Sequence, residues 1–504
     1  MDQTAAYKEE PAKGSRNRLI AFLKNKPLFL LLLPVFFVLH GFTSYYGLIP
    51  APGALLLALI YTGSALVIAF LCWLFYRNFI KASLAAFTLM GYQFFFGSIQ
   101  DLSGKYFAGS FITRYSFLLP LSLLLFLLLF IVLKKRKRSF QKTVYFLNIL
   151  LLLFVMIDCG WLISRAAAPQ QRPAMTGIKC DPCKKPDIFF IILDEYTSNT
   201  ALEEKFGHDN SPFENELQQR GFHIISNGRS NYNYTPFSIA SLLNMDYLDL
   251  NMKTKGQGNL QYCYQMIRNS RVLQFFQAND YKFYNYSVFD FPRQPAISPD
   301  DFLPLRTKLI TSQTFLSRIR KDILFNIGTG KFNLDQINKK IIYSHQHNNE
   351  EFSALTLAAA KKAPSPKFVY THLMMPHHPY YFDRNGKPLA FDSLREGKQV
   401  NKQNYVEYLL YCNKKILALT DSLLKASSSP PVIILLGDHG FRYFTAKEDH
   451  RYCFMTFGAV YLPGRDYRYF YNDMSAVNIF PVILNTQFGQ QLPLRKDSTV
   501  YLWE

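Results

Sequence analysis

Five apolar stretches, at about residues 27–48, 53–75, 82–100, 115–133 and 143–164, fill most of the first third of this 504-residue chain. Each is close to the roughly 20 residues needed to cross a hydrocarbon core. A signal peptide has one such stretch, and buried helices of a water-soluble domain rarely reach this length five times, so the pattern predicts a polytopic membrane domain. The third stretch has the weakest pattern, because it contains Gln93 and ends on Gln100. Orientation follows from the Lys/Arg content of the short loops. The N-terminal arm carries Lys8, Lys13, Arg16, Arg18, Lys24 and Lys26; the loop after the second span carries Arg77 and Lys81; the loop after the fourth carries Lys134, Lys135, Arg136, Lys137, Arg138 and Lys142. With five spans these three segments share one side. The intervening loops hold only Lys105 and Arg114, which assigns the basic segments to the cytoplasm and everything after residue 165 to the outside.

The expected organisation is a basic cytoplasmic arm (1–26), a five-span domain (27–165), a linker rich in Ala, Pro, Gln and Arg (166–185) and an extracytoplasmic domain (186–504). Such a chain is a multi-pass protein of the cytoplasmic, or inner, membrane. A net charge of +20 would ordinarily raise nucleic acid as a partner. Through residue 166, however, 17 Lys+Arg stand against 5 Asp+Glu, a net of +12, leaving 39 against 31, or +8, for the remainder. The excess belongs to membrane topology, and no nucleic-acid partner is expected. Placement outside permits disulfides. Cys72 and Cys159 lie in spans, while Cys180, Cys183, Cys263, Cys412 and Cys453 lie in the exported part. The CDPC segment at 180–183 is compatible with a tight disulfide, half a metal site or a redox pair. Without a second C-x-x-C a zinc ribbon is not expected, and the pair reads as structural or incidental.

From residue 186 strands and helices alternate. Strands are predicted at 186–196, 221–227, 281–290, 366–373, 431–437 and 454–462, and helices at 199–219, 236–245, 264–279, 404–426 and 474–487. PDIFFIILDEY is a near-continuous apolar run ending in two carboxylates, the pattern of a strand buried on both faces. The fold class expected is an α-helical membrane domain followed by an α/β domain with a mainly parallel sheet sandwiched by helices. In such sheets the chemistry gathers beyond the carboxyl ends of the strands.

Asp194 and Glu195 end the first of these strands, and Asp438 and His439, flanked by glycines in GDHG, end the fifth. Two acidic clusters and a histidine should therefore meet at one edge. Carboxylates with imidazole suit Zn or Mn, and an all-oxygen set suits Ca or Mg. A strand-end DE is also compatible with a turn or a helix cap. In SNYNYTPFSIASLLNM (230–245), Thr235 stands where loop gives way to helix, with Pro236 at a natural first helical position. Thr235 is either the helix cap or a hydroxyl that ionises beside a metal and attacks phosphorus or sulfur. THLMMPHHPYYF (371–382) clusters His372, His377 and His378 after a strand, as a surface turn or as groups that contact a substrate.

The order of these motifs resembles the sulfatase and alkaline-phosphatase-like superfamily, and spans in front of the domain resemble its membrane-bound branch, the lipoteichoic-acid synthases and lipid A phosphoethanolamine transferases. That resemblance implies Glu195 as the first-strand acidic metal ligand, with Asp194 beside it, Thr235 as nucleophile and further ligand, Asp438 and His439 as the late ligand pair, and His377 of H-x-P-Y, with His372 and His378, toward the substrate headgroup. It also implies a membrane lipid as donor, a cell-envelope lipid or glycan as acceptor, and a phospho-threonine intermediate. Sulfatases that form formylglycine carry C-x-P-x-R, whereas this chain has Thr-Pro-Phe-Ser-Ile, which argues against that cofactor. A sulfate or phosphate ester hydrolase on the same scaffold, and a non-catalytic envelope sensor or assembly protein, are the alternative readings. The roles of Asp449 and His450 stay open.

Overall fold

Uninterrupted runs of Leu, Phe, Ile and Ala offer the backbone no polar competitor, and each of the five apolar stretches is helical. The structure, a computed structural model, describes residues 12–107, 110–137, 139–167, 180, 183–250, 256–297, 306–320, 343–394, 398–444 and 446–503. Most of the expected linker, and Lys8 and Arg138 of the basic segments, lie outside the described residues. The chain divides into two units, Met1–Gln170 with Pro304–Phe325, and Gln171–Leu303 with Asn326–Glu504.

The first unit contains α1 (Ala12–Asn25), α2 (Phe29–Ser44), α3 (Ala51–Tyr76), α4 (Phe79–Tyr106), α5 (Tyr115–Lys135) and α6 (Gln141–Ala167). The last four are long and apolar enough to cross a membrane, whereas α2, predicted as the first span, has 16 residues. The break between α1 and α2 is closed by Asn148 of α6. Its Oδ1 accepts from Phe29 N, and its Nδ2 donates to the carbonyls of Leu23 and Lys26, all at 2.7 Å. A buried amide is tolerated in this apolar helix because it satisfies backbone groups that the break leaves over.

The polar residues of the third stretch have a similar cause. Residues 306–320, expected in the exported domain, belong instead to the first unit, where the short helices Lys308–Thr311 and Phe315–Ile319 lie against α2 and α4. Gln93 Oε1 accepts from Leu316 N at 3.3 Å, and Gly97 N donates to the Gln313 carbonyl at 2.9 Å. Arg318 Nη2 reaches both carboxylate oxygens of Asp101, at 2.7 and 2.8 Å. Gln100 Oε1 accepts from the Tyr115 hydroxyl at 3.1 Å. A Cβ at Gly97 would stand 2.5 Å from the Gln313 carbonyl oxygen, so this approach needs glycine.

The second unit is built on six strands at the predicted places: β1 (Ile188–Leu193), β2 (His223–Ile224), β3 (Lys282–Tyr286), β4 (Lys367–Leu373), β5 (Val432–Gly437) and β6 (Gly458–Tyr461). They form one sheet in the order β2-β6-β5-β1-β4-β3, in which β3, β4, β1 and β5 are parallel and β6 and β2 add an antiparallel edge. The helices are α7 (Asn199–Phe206), α8 (Ser211–Gln219), α9 (Thr235–Asn244), α10 (Gln257–Arg268), α11 (Arg271–Ala278), α12 (Ser344–Lys362), α13 (Lys402–Ala426) and α14 (Ile479–Phe488). The stretches 199–219 and 264–279, each read as one helix, hold α7 with α8 and the carboxyl-terminal end of α10 with α11; Gly207, at φ 62°, ends α7. No pattern predicted α12, whose buried face of Asn348, Asn349, Phe352, Thr356, Ala359 and Ala360 lacks an apolar stripe.

Register explains the two covered faces. Ile188, Phe190 and Ile192 align with Phe368, Tyr370 and His372, and this face packs on α11 and α14, with Phe276 4.6 Å from Phe368 and Phe480 5.2 Å from Phe190. Ile191 and Thr371 share the other face, where the Thr371 and Thr356 hydroxyls meet at 2.6 Å across to α12. Cys180 and Cys183 are disulfide-bonded, and Cys180 N donates to Asn279 Oδ1 at 2.9 Å.

At the amino ends of β1 and β4, Lys367 Nζ and Asp187 Oδ2 pair at 2.9 Å with both side chains 2% exposed. Asp187 also accepts from Ser365 Oγ at 3.0 Å and Lys367 N at 3.2 Å. Removing one partner strands a desolvated charge, so Asp187→Ala is expected to cost roughly 3–5 kcal/mol in a denaturant titration. In the first unit, Gly97→Val is expected to dislodge residues 306–320 from α4, producing new cleavage there in limited proteolysis of the detergent-solubilised protein.

Candidate metal and catalytic site

β1 lies between β4 and β5, so the carboxyl ends of three parallel strands converge. Asp194 and Glu195 leave β1, His372 is the penultimate residue of β4, and Asp438 and His439 leave β5; all five are fully buried. The glycines of GDHG serve close backbone approach. A Cβ on Gly437 would lie 2.4 Å from the Tyr196 carbonyl oxygen, and one on Gly440 would lie 2.1 Å from that of Tyr452. Glu195 has φ 61°, in the left-handed region that a non-glycine residue enters at a cost. Tyr405 holds it there, donating to the Glu195 carbonyl at 2.7 Å and accepting from Thr197 N at 3.2 Å.

The sequence resemblance gave Glu195 the first-strand ligand position with Asp194 beside it; in the structure the Asp194 carboxylate is the one that stands beside His439. Asp194 Oδ1 and Asp438 Oδ2 lie 3.8 and 3.5 Å from His439 Nε2. These three atoms are buried and make no hydrogen bond. Two ligands held at about 2.1 Å by one tetrahedral ion stand about 3.4 Å apart, so the spacing is that of a coordination edge. His439 Nδ1 donates to the Gly440 carbonyl at 2.9 Å, which leaves Nε2 as the lone-pair nitrogen. Burial holds this imidazole below its ordinary pKa, so it is neutral, as a metal ligand must be. Two carboxylates and an oriented imidazole fit a divalent cation.

Glu195 faces a different neighbour. Its backbone N donates to Asp438 Oδ1 at 3.0 Å, its Oε1 accepts a long contact of 3.5 Å from Arg442 N, and its Oε2 has no partner. Burial pushes the Glu195 carboxyl up to about 8; the Arg442 guanidinium pulls it down, and Asp194 and Asp438 add to the rise. Burial also raises Asp194, but His377, His372 and His439 outweigh it and hold this carboxyl well below the usual range.

His372, expected among the substrate contacts, has another use. Its Nε2 lies within 4.8 Å of ligand atoms of Asp194 and Asp438. The nitrogen is nevertheless committed to Asp194 Oδ2 at 3.0 Å, while the Tyr370 hydroxyl donates to Nδ1 at 3.2 Å. In this arrangement His372 orients the Asp194 carboxylate. The loop beyond β4 is anchored by α12, where Asn349 Oδ1 accepts from Met374 N at 2.6 Å and Nδ2 donates to the Met374 carbonyl at 3.2 Å. That loop brings His377 within electrostatic reach of Asp194. His377 Nδ1 donates to the His378 carbonyl at 2.6 Å, making Nε2 the acceptor, and burial lowers its pKa to about 3. His378 is half-buried and meets Tyr380 edge-on at 5.2 Å.

Thr235 is the first residue of α9 and does not cap it. The cap position is Tyr234, at φ −137° with no side-chain cap bond, and the Thr235 hydroxyl, 1% exposed, has no hydrogen-bond partner. Arg442 ties this helix start to the cluster, its guanidinium 5.1 Å from the Tyr234 ring while its backbone N–H reaches Glu195. Arg442, Tyr370, Tyr405 and Asn349 were not singled out in the sequence; only the position of Arg442, just past GDHG, offered a signal. Asp449 pairs with Lys205, and His450 stacks on Tyr501 at 4.1 Å, so both are used elsewhere.

No protein-family model matches the sequence, and no curated protein matches it. Solved structures do match. They include the C-terminal periplasmic domain of EcEptC from Escherichia coli in complex with Zn, at 10% identity over 62% of this chain and 84% of that one, with a TM-score of 0.38. The periplasmic domain of phosphoethanolamine transferase EptC from Campylobacter jejuni matches at 13% identity over 62% of this chain and 92% of that one, with a TM-score of 0.34. Phosphonate monoester hydrolase SpPMH from Silicibacter pomeroyi matches at 14% identity over 62% and 75%, with a TM-score of 0.38. At these values the likeness assigns no residue a role.

In metal-free protein Glu195 titrates near 8 when folded against 4.5 as its ordinary value, so the folded state holds the extra proton and stability falls as pH rises through that interval. His377 and His439 act in the opposite sense below about 6.5, where the unfolded chain takes up their protons, and Glu214, raised to about 7, adds to the Glu195 effect only up to that pH. Between pH 7 and 8 the metal-free protein is expected to lose roughly 1 kcal/mol, read as a fall in Tm. Glu195→Gln should remove the slope, and a saturating divalent cation, which displaces the same proton, should flatten it in the wild type.

Proposed function

We propose that this chain is a membrane-anchored, metal-dependent transferase that moves a phospho-headgroup from a membrane lipid to a cell-envelope lipid or glycan through a phospho-threonine at Thr235. The observation that carries the reading is the Thr235 hydroxyl, which is buried and unpartnered on the first residue of a helix. A helix amino end stabilises the anionic ester that attack by this oxygen would form. Asp194, Asp438 and His439, with Thr235 and Glu195 as further oxygen donors, would hold the cation, and the imidazole favours Zn or Mn over Ca or Mg. When bound, the cation polarises phosphoryl oxygens and lowers the pKa of a neighbouring hydroxyl.

In this reading Thr235 Oγ bonds to phosphorus as the bond from phosphorus to the lipid glycerol oxygen breaks. The threonine proton passes to His377 Nε2 and from there to the departing alkoxide. With Nδ1 donating to the His378 carbonyl, Nε2 is the lone-pair nitrogen, and this orientation supports the assignment of base and then acid. An acceptor hydroxyl next gives its proton to the same nitrogen as its oxygen bonds to phosphorus, and that nitrogen returns the proton to Oγ as the P–Oγ bond breaks, restoring the Thr235 hydroxyl and the neutral imidazole.

Loop charge supports an extracytoplasmic site. The α3–α4 connection has Arg77 beside Lys81, and the α5–α6 connection has Lys134 to Lys142, so with these on the cytoplasmic side α6 ends outside whether or not α2 crosses. Anchoring raises the effective concentration of a membrane-borne donor, which a soluble substrate would not need. Intact-mass analysis of the detergent-purified protein, after incubation with Mn or Zn and a mixed phospholipid extract, tests the reading. A metal-dependent mass increment is expected that Thr235→Ala lacks, and its size names the headgroup. An equal increment on the variant, or none on either, would overturn nucleophilic transfer at Thr235.

A further inference from the structure

One face of α9 carries two hydroxyls with nothing to bond. Ser238 lies one turn beyond Thr235, so the two share a face, and each is 1% exposed with no hydrogen-bond partner. Leaving buried hydroxyls unsatisfied is costly. The other polar side chains of α9 are used: Ser241 Oγ donates to the Asp246 carbonyl at 2.7 Å, and Asn244 Nδ2 donates to the Ala240 and Met266 carbonyls at 2.7 and 3.0 Å. The orphan pair is therefore confined to the amino-terminal turn of a ten-residue helix that no side chain caps.

Arg442 lies against the residue that opens the same turn. Its guanidinium lies 5.1 Å from the Tyr234 ring and 5.9 Å from that of Tyr443, whose hydroxyl it also bonds. Asp194, Glu195 and Asp438 all act on its charge. Among the described residues, however, none of the ion pairs formed by carboxylates involves Arg442, in contrast to Arg220, Arg318 and Arg384, which are paired at 2.5–2.7 Å. A guanidinium stacked on aromatic faces keeps its edge N–H groups for planar recognition of an anion.

We infer that Arg442 and Ser238 form a cradle for the non-bridging oxygens of the tetrahedral oxoanion that reacts at Thr235. This rests on the reading of Thr235 as the attacking hydroxyl and specifies the reacting group: a phosphoryl or sulfuryl centre held by a guanidinium and a serine hydroxyl as well as by the cation. A phosphate ester and a sulfate ester present the same oxygens to these donors.

The test titrates orthophosphate and, separately, sulfate into full-length, manganese-loaded protein in detergent, with binding read by calorimetry and metal content by elemental analysis. Arg442→Met is expected to weaken the tighter-bound anion by at least about tenfold at unchanged metal content, with Arg442→Lys less affected because charge survives without the fork. Ser238→Ala is expected to weaken it by about three- to tenfold, and this small substitution decides the matter should Arg442→Met not fold. The tighter of the two anions identifies the ester class. Equal anion affinity in wild type and variants, or no binding of either anion to wild type, would overturn the cradle. An Arg442-dependent anion site in a protein that forms no adduct at Thr235 would retain the cradle and overturn the transfer reading; an adduct at Thr235 without such dependence would do the reverse.

Discussion

Asp194, Glu195 and Asp438 are sealed from water at adjacent strand ends, and carboxylates so placed both repel one another and lose their hydration. Much of the local structure follows from supplying them with partners. His372, on the sheet face that continues to Asp194, takes one oxygen of that residue, and the backbone N–H groups of Glu195 and His439 take one oxygen of Asp438. Arg442 brings its backbone N–H to one oxygen of Glu195 and its positive charge to all three carboxylates. Each carboxylate is thereby left with one oxygen unmatched, and those of Asp194 and Asp438 face the lone pair of His439. A dication is the economical solution for such a set, because one ion meets the remaining demand of several ligands at once.

The six strands were legible because a parallel sheet covered on both faces demands apolar runs, and runs such as IFFIIL and VIILLG have few alternatives. GDHG was legible because two backbones approach too closely for side chains at Gly437 and Gly440. Which of the two adjacent carboxylates, Asp194 or Glu195, stands beside His439 was not, since adjacent residues at a strand end point apart and the left-handed turn at Glu195 is not written in the motif. His372 looked like one of three loop histidines, and its pairing with Asp194 depends on strand register, which spacing along one segment does not contain. α12 was hidden because its inward face is largely polar or small, matched residue by residue to β4 and the loop after it.

Polar residues inside the apolar helices were informative in a way that hydropathy alone missed. Asn148, Gln93 and Gln100 weaken the pattern of their helices, and each is spent on a specific partner: a helix break, an entering segment and a tyrosine. The cost of a bare amide among apolar side chains makes such residues markers of contact. Gly97 marks the same contact from the opposite direction, by removing a side chain where a foreign backbone arrives.

The segment that arrives there is contributed by the stretch of chain between β3 and β4, so the polypeptide passes between the two units three times, near residues 170, 303 and 325. A protein joined by a single linker can shed its outer domain by one cut. Here a cut in the stretch 168–179 leaves the second unit still joined by chain to residues 304–325, so separating it from the first also requires that segment to come away from α2 and α4. The arrangement makes the second unit's attachment redundant and ties any rearrangement of the β3–β4 connection directly to the helices that hold it.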